Sequence, residues 1–334
     1  MTSPGLSVVL PTLNCADALP AHLASMRSWL DLADEVIAVD SHSEDGTPEM
    51  IRERLKHPNL RVLDHPRGLY QSWNSGIRQT TGRWIYISTI GDTIKRAQLE
   101  HMLAAGESLG SDVVASPPAF VFDDHITIDP PVWPIRHILD FHGIDKPTEL
   151  SPAAAFVHAV RHIPSSILGS SASDIYRGDH LRARPFPLDY GVTGDTGWAI
   201  QHSLDTRFCF TNRVGSVFRF HSDIYTRPED GWVKRSIHSL RNLGMRVLKE
   251  NLESGKSAEI LGLLEDFEKS AETLRDAQKQ WGVSRRSSAI GIPWYLRPAA
   301  VHARCRRNDC RREHHGMAQR LEEALKTLPV KSLD

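Results

Sequence analysis

The first third of the chain alternates short apolar runs with stretches whose apolar positions recur every three or four residues. Residues 6–10 form an apolar-rich run closed by Pro11, residues 16–30 carry helical spacing, and residues 35–39 form a second run that ends at Asp40. A helix over 47–55 follows, with Pro48 in the first turn where its missing N–H is tolerated. Then come a strand at 61–63, a helix at 69–79 and a strand at 84–87. Such alternation predicts a doubly wound, mostly parallel α/β sheet. Ligands of these sheets bind beyond the carboxyl ends of the strands, so the turns 11–14, 40–47 and 88–92 are expected to converge. Between 111 and 221 the pattern loosens, with Pro117-Pro118, Pro130-Pro131 and Pro134 separating strand-like runs at 119–122 and 217–220. This predicts an α+β extension of the sheet. Beyond Gly231 helical spacing dominates: Leu264, Phe267, Ala271, Leu274 and Trp281 share one face and Met317, Leu321 and Leu325 another, as core or as a partner seam.

Composition adds bounds. A chain of 334 residues with 40% hydrophobic and 24% charged residues fits one large or two modest folded domains and excludes a wholly disordered or fibrous protein. No apolar window is long enough for a membrane span, and the amino terminus lacks a basic leader with a cleavage site. The four cysteines (Cys15, Cys209, Cys305 and Cys310) make no disulfide framework in so long a chain, which fits a reducing, cytoplasmic compartment. The net charge of -1 is a cancellation: residues 231–334 carry 20 Lys+Arg against 13 Asp+Glu, whereas residues 1–230 carry 20 against 28. An acidic domain over 1–230 and a basic, mainly helical extension over 231–334 are therefore expected.

Several chemistries drop out. The turn after residue 10 is Pro11-Thr12-Leu13-Asn14-Cys15, without the glycines of a dinucleotide fingerprint. Gly255-Lys256-Ser257 lacks the earlier glycine of a phosphate-binding P-loop, and neither a Gly-x-Ser-x-Gly elbow nor a His-Glu-x-x-His pair occurs.

What remains is polar and sits at strand ends. Asp40 can accept the imide N–H of uracil or the N1–H and amino group of guanine, a charge-assisted bond of roughly 1.5–3 kcal/mol. Ser41, Ser43, Asp45, Gly46 and Thr47 form a turn whose hydroxyls and amides suit ribose or phosphate, or equally a plain turn that caps the next helix. Taken together, residues 10–14, 39–47 (Val-Asp-Ser-His-Ser-Glu-Asp-Gly-Thr), 68–77 (Gly-Leu-Tyr-Gln-Ser-Trp-Asn-Ser-Gly-Ile) and 81–87 resemble the nucleotide-binding half of family 2 glycosyltransferases of GT-A fold. The resemblance covers about residues 6–230. It implies a GT-A type sheet with a helical extension, and an inverting transferase that moves a sugar from a nucleoside diphosphate, UDP by family frequency, to a hydroxyl acceptor. Pro11, Thr12, Asn14, Asp40, Ser41, Ser43, Asp45 and Asn74 then face the nucleotide.

The same resemblance implies a divalent cation, Mn or Mg, yet the usual Asp-x-Asp segment is here Ser88-Thr89-Ile90-Gly91-Asp92, with one carboxylate left. Asp92 with His221 would be its ligands. In Gly194-Asp195-Thr196-Gly197-Trp198 the acid heading an amphipathic helix resembles the family's base, which points to Asp195; Asp189 is the alternative base, and a helix cap the bland alternative for Asp195. The reduced motif leaves a second function in play, a catalytically weak sugar-nucleotide-binding or scaffold protein that docks a partner through its helical tail. Residues 302–315, with five arginines, Cys305, Cys310, His314 and His315, read as a solvated basic face, as a zinc-like cluster, or as a surface for an anionic membrane or a lipid-linked or phosphorylated acceptor. No nucleic-acid motif accompanies them.

Overall fold

The computed structural model describes residues 5–122, 133–220, 232–253, 258–286 and 298–333. The chain clusters into two units, Met1–Gly244 with Pro329–Asp334, and Met245–Leu328.

The first unit is built on β1 (Leu6–Thr12), β2 (Ala33–Asp40), β3 (Leu60–Asp64) and β4 (Trp84–Ile87), all parallel, in the order β3-β2-β1-β4. β1 is apolar on both faces because helices cover both sides of a parallel sheet. The connections are α1 (Leu19–Met26), α2 (Thr47–Arg54) and α3 (Leu69–Gln79). α3 lies close on the sheet because Gly76 carries no side chain: a Cβ there would stand 2.5 Å from a Val9 methyl and 3.0 Å from one of Val39. α1 is shorter than the pattern over 16–30 predicts. Cys15 to Ala18 form a turn, with the Leu19 amide donating to the Cys15 carbonyl, and Pro20 stands in the first helical turn.

After β4 come β5 (Thr93–Ile94), α4 (Arg96–Leu109), β6 (Val113–Ala115), β7 (Ala119–Phe122), α5 (Pro134–His142), β8 (Thr148–Leu150) and α6 (Pro152–Arg161). Next are β9 (Asp174–Arg177), α7 (Gly178–Ala183), α8 (Gly194–His202), β10 (Phe208–Phe210) and β11 (Ser216–Phe220). β9 runs antiparallel between β4 and β6, and the sheet continues through β10 and β8 to β12 (Val330–Ser332), giving nine strands. β5, β11 and β7 form a separate three-stranded sheet, so the runs at 119–122 and 217–220 are strands that extend the fold beside the main sheet rather than within it. Leu6, Val8, Leu10, Met26, Trp29, Trp84, Tyr86, Leu99 and Met102 are among the core residues. α9 (Trp232–Glu253) follows.

The second unit holds the antiparallel pair α10 (Ala258–Arg286) and α11 (Pro298–Thr327). Leu261, Leu264 and Ala277 of α10 and Ala303, Cys310, Leu321 and Leu325 of α11 are buried. Ser270 and His314 Nδ1 are hydrogen-bonded at 2.9 Å, and the Arg307 guanidinium lies 4.1 Å from the Trp281 ring centre. Cys305 is exposed while Cys310 is buried, so the two thiols leave the helix on different sides and form no shared metal cluster. All four cysteines are free, and among the described residues no helix is long and apolar enough to cross a membrane.

Candidate functional site

The carboxyl ends of β1 and β2 bring two loops into contact. Asp40, 3% exposed, accepts the Thr12 hydroxyl (2.9 Å) and the Ser43 hydroxyl (2.7 Å) on Oδ1 and the Ser43 amide (2.8 Å) on Oδ2. Ser43 Oγ also accepts the Asn14 amide (2.8 Å), and Asn14 Oδ1 accepts the Glu44 amide (2.9 Å). Asn14 can do this because it holds a left-handed backbone, φ 42°, which Asn tolerates better than most side chains. Asp45 accepts the Ala16 amide (2.8 Å) on one oxygen and the Thr47 hydroxyl (2.6 Å) on the other; the Thr47 bond first and the Ala16 bond next hold its carboxyl below the usual range. Ser41 shares a hydrogen bond of 2.7 Å with Ser72 on α3. Thr12, Asn14, Asp40, Ser41, Ser43 and Asp45 thus form one preorganised cluster, in which Asp40 keeps acceptor capacity on Oδ2, and Pro11 adjoins it in register with Val39.

Asn74 is placed otherwise. Its amide nitrogen donates to the Phe186 carbonyl (2.7 Å) and its oxygen accepts the Phe186 amide (2.9 Å), so both ends are spent on the strand of chain that leads to α8. That clamp positions the segment 186–195.

Asp195 stands in the first turn of α8, two residues after the Thr193 cap position, so it is not the capping residue. Tyr70 on α3 donates its hydroxyl to Asp195 Oδ1 (3.1 Å). The ring reaches there because residue 194 is glycine: a Cβ would lie 2.5 Å from the Tyr70 ring and 2.9 Å from the Pro187 carbonyl. Burial pushes the Asp195 carboxyl above the usual range, against the Thr196 amide and the Tyr70 and Ser166 hydroxyls, which favour the charged form. The result is a carboxylate whose proton affinity suits a general base better than that of an exposed Asp. Asp174, at the start of β9 and within range of its charge, is 1% exposed, with Oδ1 unpaired and Oδ2 accepting the Tyr176 hydroxyl at 3.4 Å. Burial first, and the Asp195 charge second, hold the Asp174 carboxyl well above its ordinary value.

Asp92, 7% exposed, accepts the Thr89 hydroxyl (3.0 Å), the Ser170 hydroxyl (3.2 Å) and the Arg219 amide (3.0 Å). Among the described residues no group of three His, Cys, Asp or Glu side chains could hold a metal ion, and His221 lies outside the described residues. With Asp92 already engaged by three protein donors, the described residues do not by themselves assemble a divalent-cation site.

Tyr70, Ser166, Ser170 and Asp174 complete this arrangement and were not singled out by sequence reasoning. Tyr70 lies in the 68–77 motif at helical spacing, which makes an inward-facing hydroxyl readable there; Ser166, Ser170 and Asp174 carry no comparable signal.

Residues 7–147 match the family model of Glycosyl transferase family 2. That stretch is similar to a family 2 glycosyltransferase domain. Two curated relatives are each similar to about a third of this chain. The succinoglycan biosynthesis protein ExoO of Rhizobium meliloti is 29% identical over 112 residues, 33% of this chain and 32% of that protein. A PGL/p-HBAD biosynthesis glycosyltransferase of Mycobacterium tuberculosis is 33% identical over 121 residues, 34% of this chain and 46% of that protein. The chain therefore spans less than half the length of each. The crystal structure of S. aureus TarS is similar in fold, with a TM-score of 0.52 and 15% identity over 96% of this chain and 55% of that one. The fold is of GT-A type, an α/β sheet with a helical carboxy-terminal part.

Proposed function

We propose that the protein is an inverting glycosyltransferase that moves a sugar from a nucleoside diphosphate donor, UDP first among candidates, to a hydroxyl of a glycan acceptor in polysaccharide biosynthesis. The observation that carries this reading is Asp195, half-buried at the head of α8 with its ionised form held by Tyr70, Ser166 and the Thr196 amide, in a domain whose β1 and β2 ends present Asp40. In this reading Asp40 accepts N–H groups of the base and the 40–47 turn meets the ribose or phosphates. Asp195 takes the proton of the acceptor hydroxyl as its oxygen attacks the anomeric carbon opposite the diphosphate. The C–O bond to the leaving phosphate breaks as the new glycosidic bond forms, and the nucleoside diphosphate leaves with the electron pair. General-base assistance of this kind contributes about 10²–10⁴ in rate. Exposed Arg304 and Arg311 of α11 support peripheral contact with an anionic surface as a further element of the proposal.

The test is donor turnover with a panel of nucleotide sugars, with and without Mn²⁺, in the wild type and in Asp195→Asn. The variant should keep nucleotide affinity and lose at least about 10²-fold in transfer. Unchanged turnover would remove Asp195 from the role. The engaged state of Asp92 favours one competing reading, a sugar-nucleotide-binding protein with little catalysis; tight nucleotide binding with no turnover under any metal condition would select it.

A further inference from the structure

The small sheet carries aromatic rings that the chemistry at Asp195 does not use. Phe120 and Phe122 of β7 stand in register with Phe218 and Phe220 of β11, and alternate positions along a strand share a face, so all four rings lie on one side. The Phe122 and Phe220 rings stack with centres 4.8 Å apart and planes 5° from parallel. Trp133 meets Phe120 at 5.0 Å and Phe218 at 4.9 Å, both edge-on. Phe220 is buried, whereas Phe120, Phe122, Trp133 and Phe218 are only half-buried, so ring surface stays open to solvent.

Two links tie this cluster to the site. The amide of Arg219, between the two β11 phenylalanines, donates to Asp92. Trp133 lies against Gly169, where a Cβ would stand 3.4 Å from its ring; the next residue, Ser170, donates to Asp92, and Ser166 bonds Asp195. Three residues of chain reach at most about 11 Å and the Ser166 side chain with its hydrogen bond adds about 5 Å, so the backing of Trp133 stands within about three to four sugar units of the proposed base. A pyranose presents a face of C–H groups with partial positive charge, and an aromatic ring presents a negative face; flat rings beside a glycan site suit that contact.

We propose that Trp133, with Phe120, Phe122 and Phe218, forms a stacking subsite for a pyranose unit of the acceptor remote from the hydroxyl that reacts. This rests on the glycosyl-transfer reading above. It makes acceptor length a determinant of efficiency, because only an oligosaccharide reaches both Asp195 and the rings.

The experiment uses the full chain, wild type, Trp133→Ala, Phe218→Ala and Trp133→Phe. Cellotetraose, chitotetraose and maltotetraose serve as acceptors beside the methyl glycosides of their single units, with whichever nucleotide sugar the wild type turns over. In both alanine variants KM for the preferred tetrasaccharide should rise at least about tenfold with kcat and donor hydrolysis unchanged. Transfer to the monosaccharide should stay as in the wild type, and Trp133→Phe should retain most of the tetrasaccharide advantage. A folding defect would lower donor hydrolysis and monosaccharide transfer as well. Saturation-transfer NMR with the same tetrasaccharides reads binding without turnover. If the wild type turns over no donor, the glycosyl-transfer reading fails, and the NMR contrast between wild type and Trp133→Ala still decides the subsite. Equal KM and equal saturation transfer in the two proteins, or no tetrasaccharide binding at millimolar concentration, overturns the proposal. Binding of octyl glycosides but not of tetrasaccharides also overturns it, and would make the cluster a lipid contact.

Discussion

Burial sets the direction of the Asp195 shift, and the Tyr70 hydroxyl both opposes that shift and positions the carboxylate. In the proposed reaction transfer requires the carboxylate, so activity should fall as pH drops through the Asp195 pKa, which burial has raised. The Tyr70 hydroxyl favours the charged form, and its loss raises that pKa further. Tyr70→Phe should therefore move the acidic limb of the kcat/KM profile to higher pH; a limb that stays in place would reduce Tyr70 to a packing role. Asp174 has the opposite relation to stability. It binds its proton far above its ordinary 3.8 in the folded chain, so above that pH the folded state holds a proton that the unfolded state has released. Stability is then lost as pH rises. Asp174→Asn should melt at higher temperature than the wild type by a margin that widens from acid to neutral pH. A margin independent of pH in thermal scans would show that the carboxyl is paired in some other way.

At the scale of elements, three imidazoles, one buried and two half-buried, sit on or just after helices. His22 of α1, His162 after α6 and His202 of α8 are each pushed down to about 4 by burial. An unfolded chain protonates them near 6.5, so between about 6.5 and 4 the unfolded state binds more protons and the fold weakens as pH falls. The urea midpoint should drop through that window, and His162→Gln should lower the slope by about one proton; an unchanged slope would place the acid sensitivity elsewhere. His162 is also where the chain leaves α6 for Pro164, whose carbonyl accepts the Thr196 hydroxyl (2.9 Å) beside Asp195, so loosening there reaches the site. Elements with strong local signals were readable. The run 69–79 is α3 because its apolar positions recur at helical spacing, and 84–87 is β4 because a short continuous apolar run between Gly82 and the polar residues 88–89 suits a buried strand. β8 and β12 were not readable. Each is three residues long and exists through pairing with a distant partner, Thr148 with Ser332 for one, which no local pattern encodes.

At the scale of the molecule, apolar runs separated by helical repeats were enough to determine a parallel α/β core, because burial on two faces leaves few other ways to hide those residues. The strand-end carboxylate Asp40 followed from the same rule, since a parallel sheet directs its strand ends to one edge. The sequence also determined that the charge is divided, acidic over 1–230 and basic over 231–334. Tertiary structure alone decided the rest. It inserted β9 antiparallel between β4 and β6, placed Asp174 within range of the Asp195 charge, and turned Asn74 toward the backbone of Phe186. It also set Trp133 against Gly169. These contacts join residues 50 to more than 100 positions apart or lie in the aperiodic stretch after Ser111, and they depend on which elements become neighbours. Hydrophobic period records which face is buried; it does not record against what.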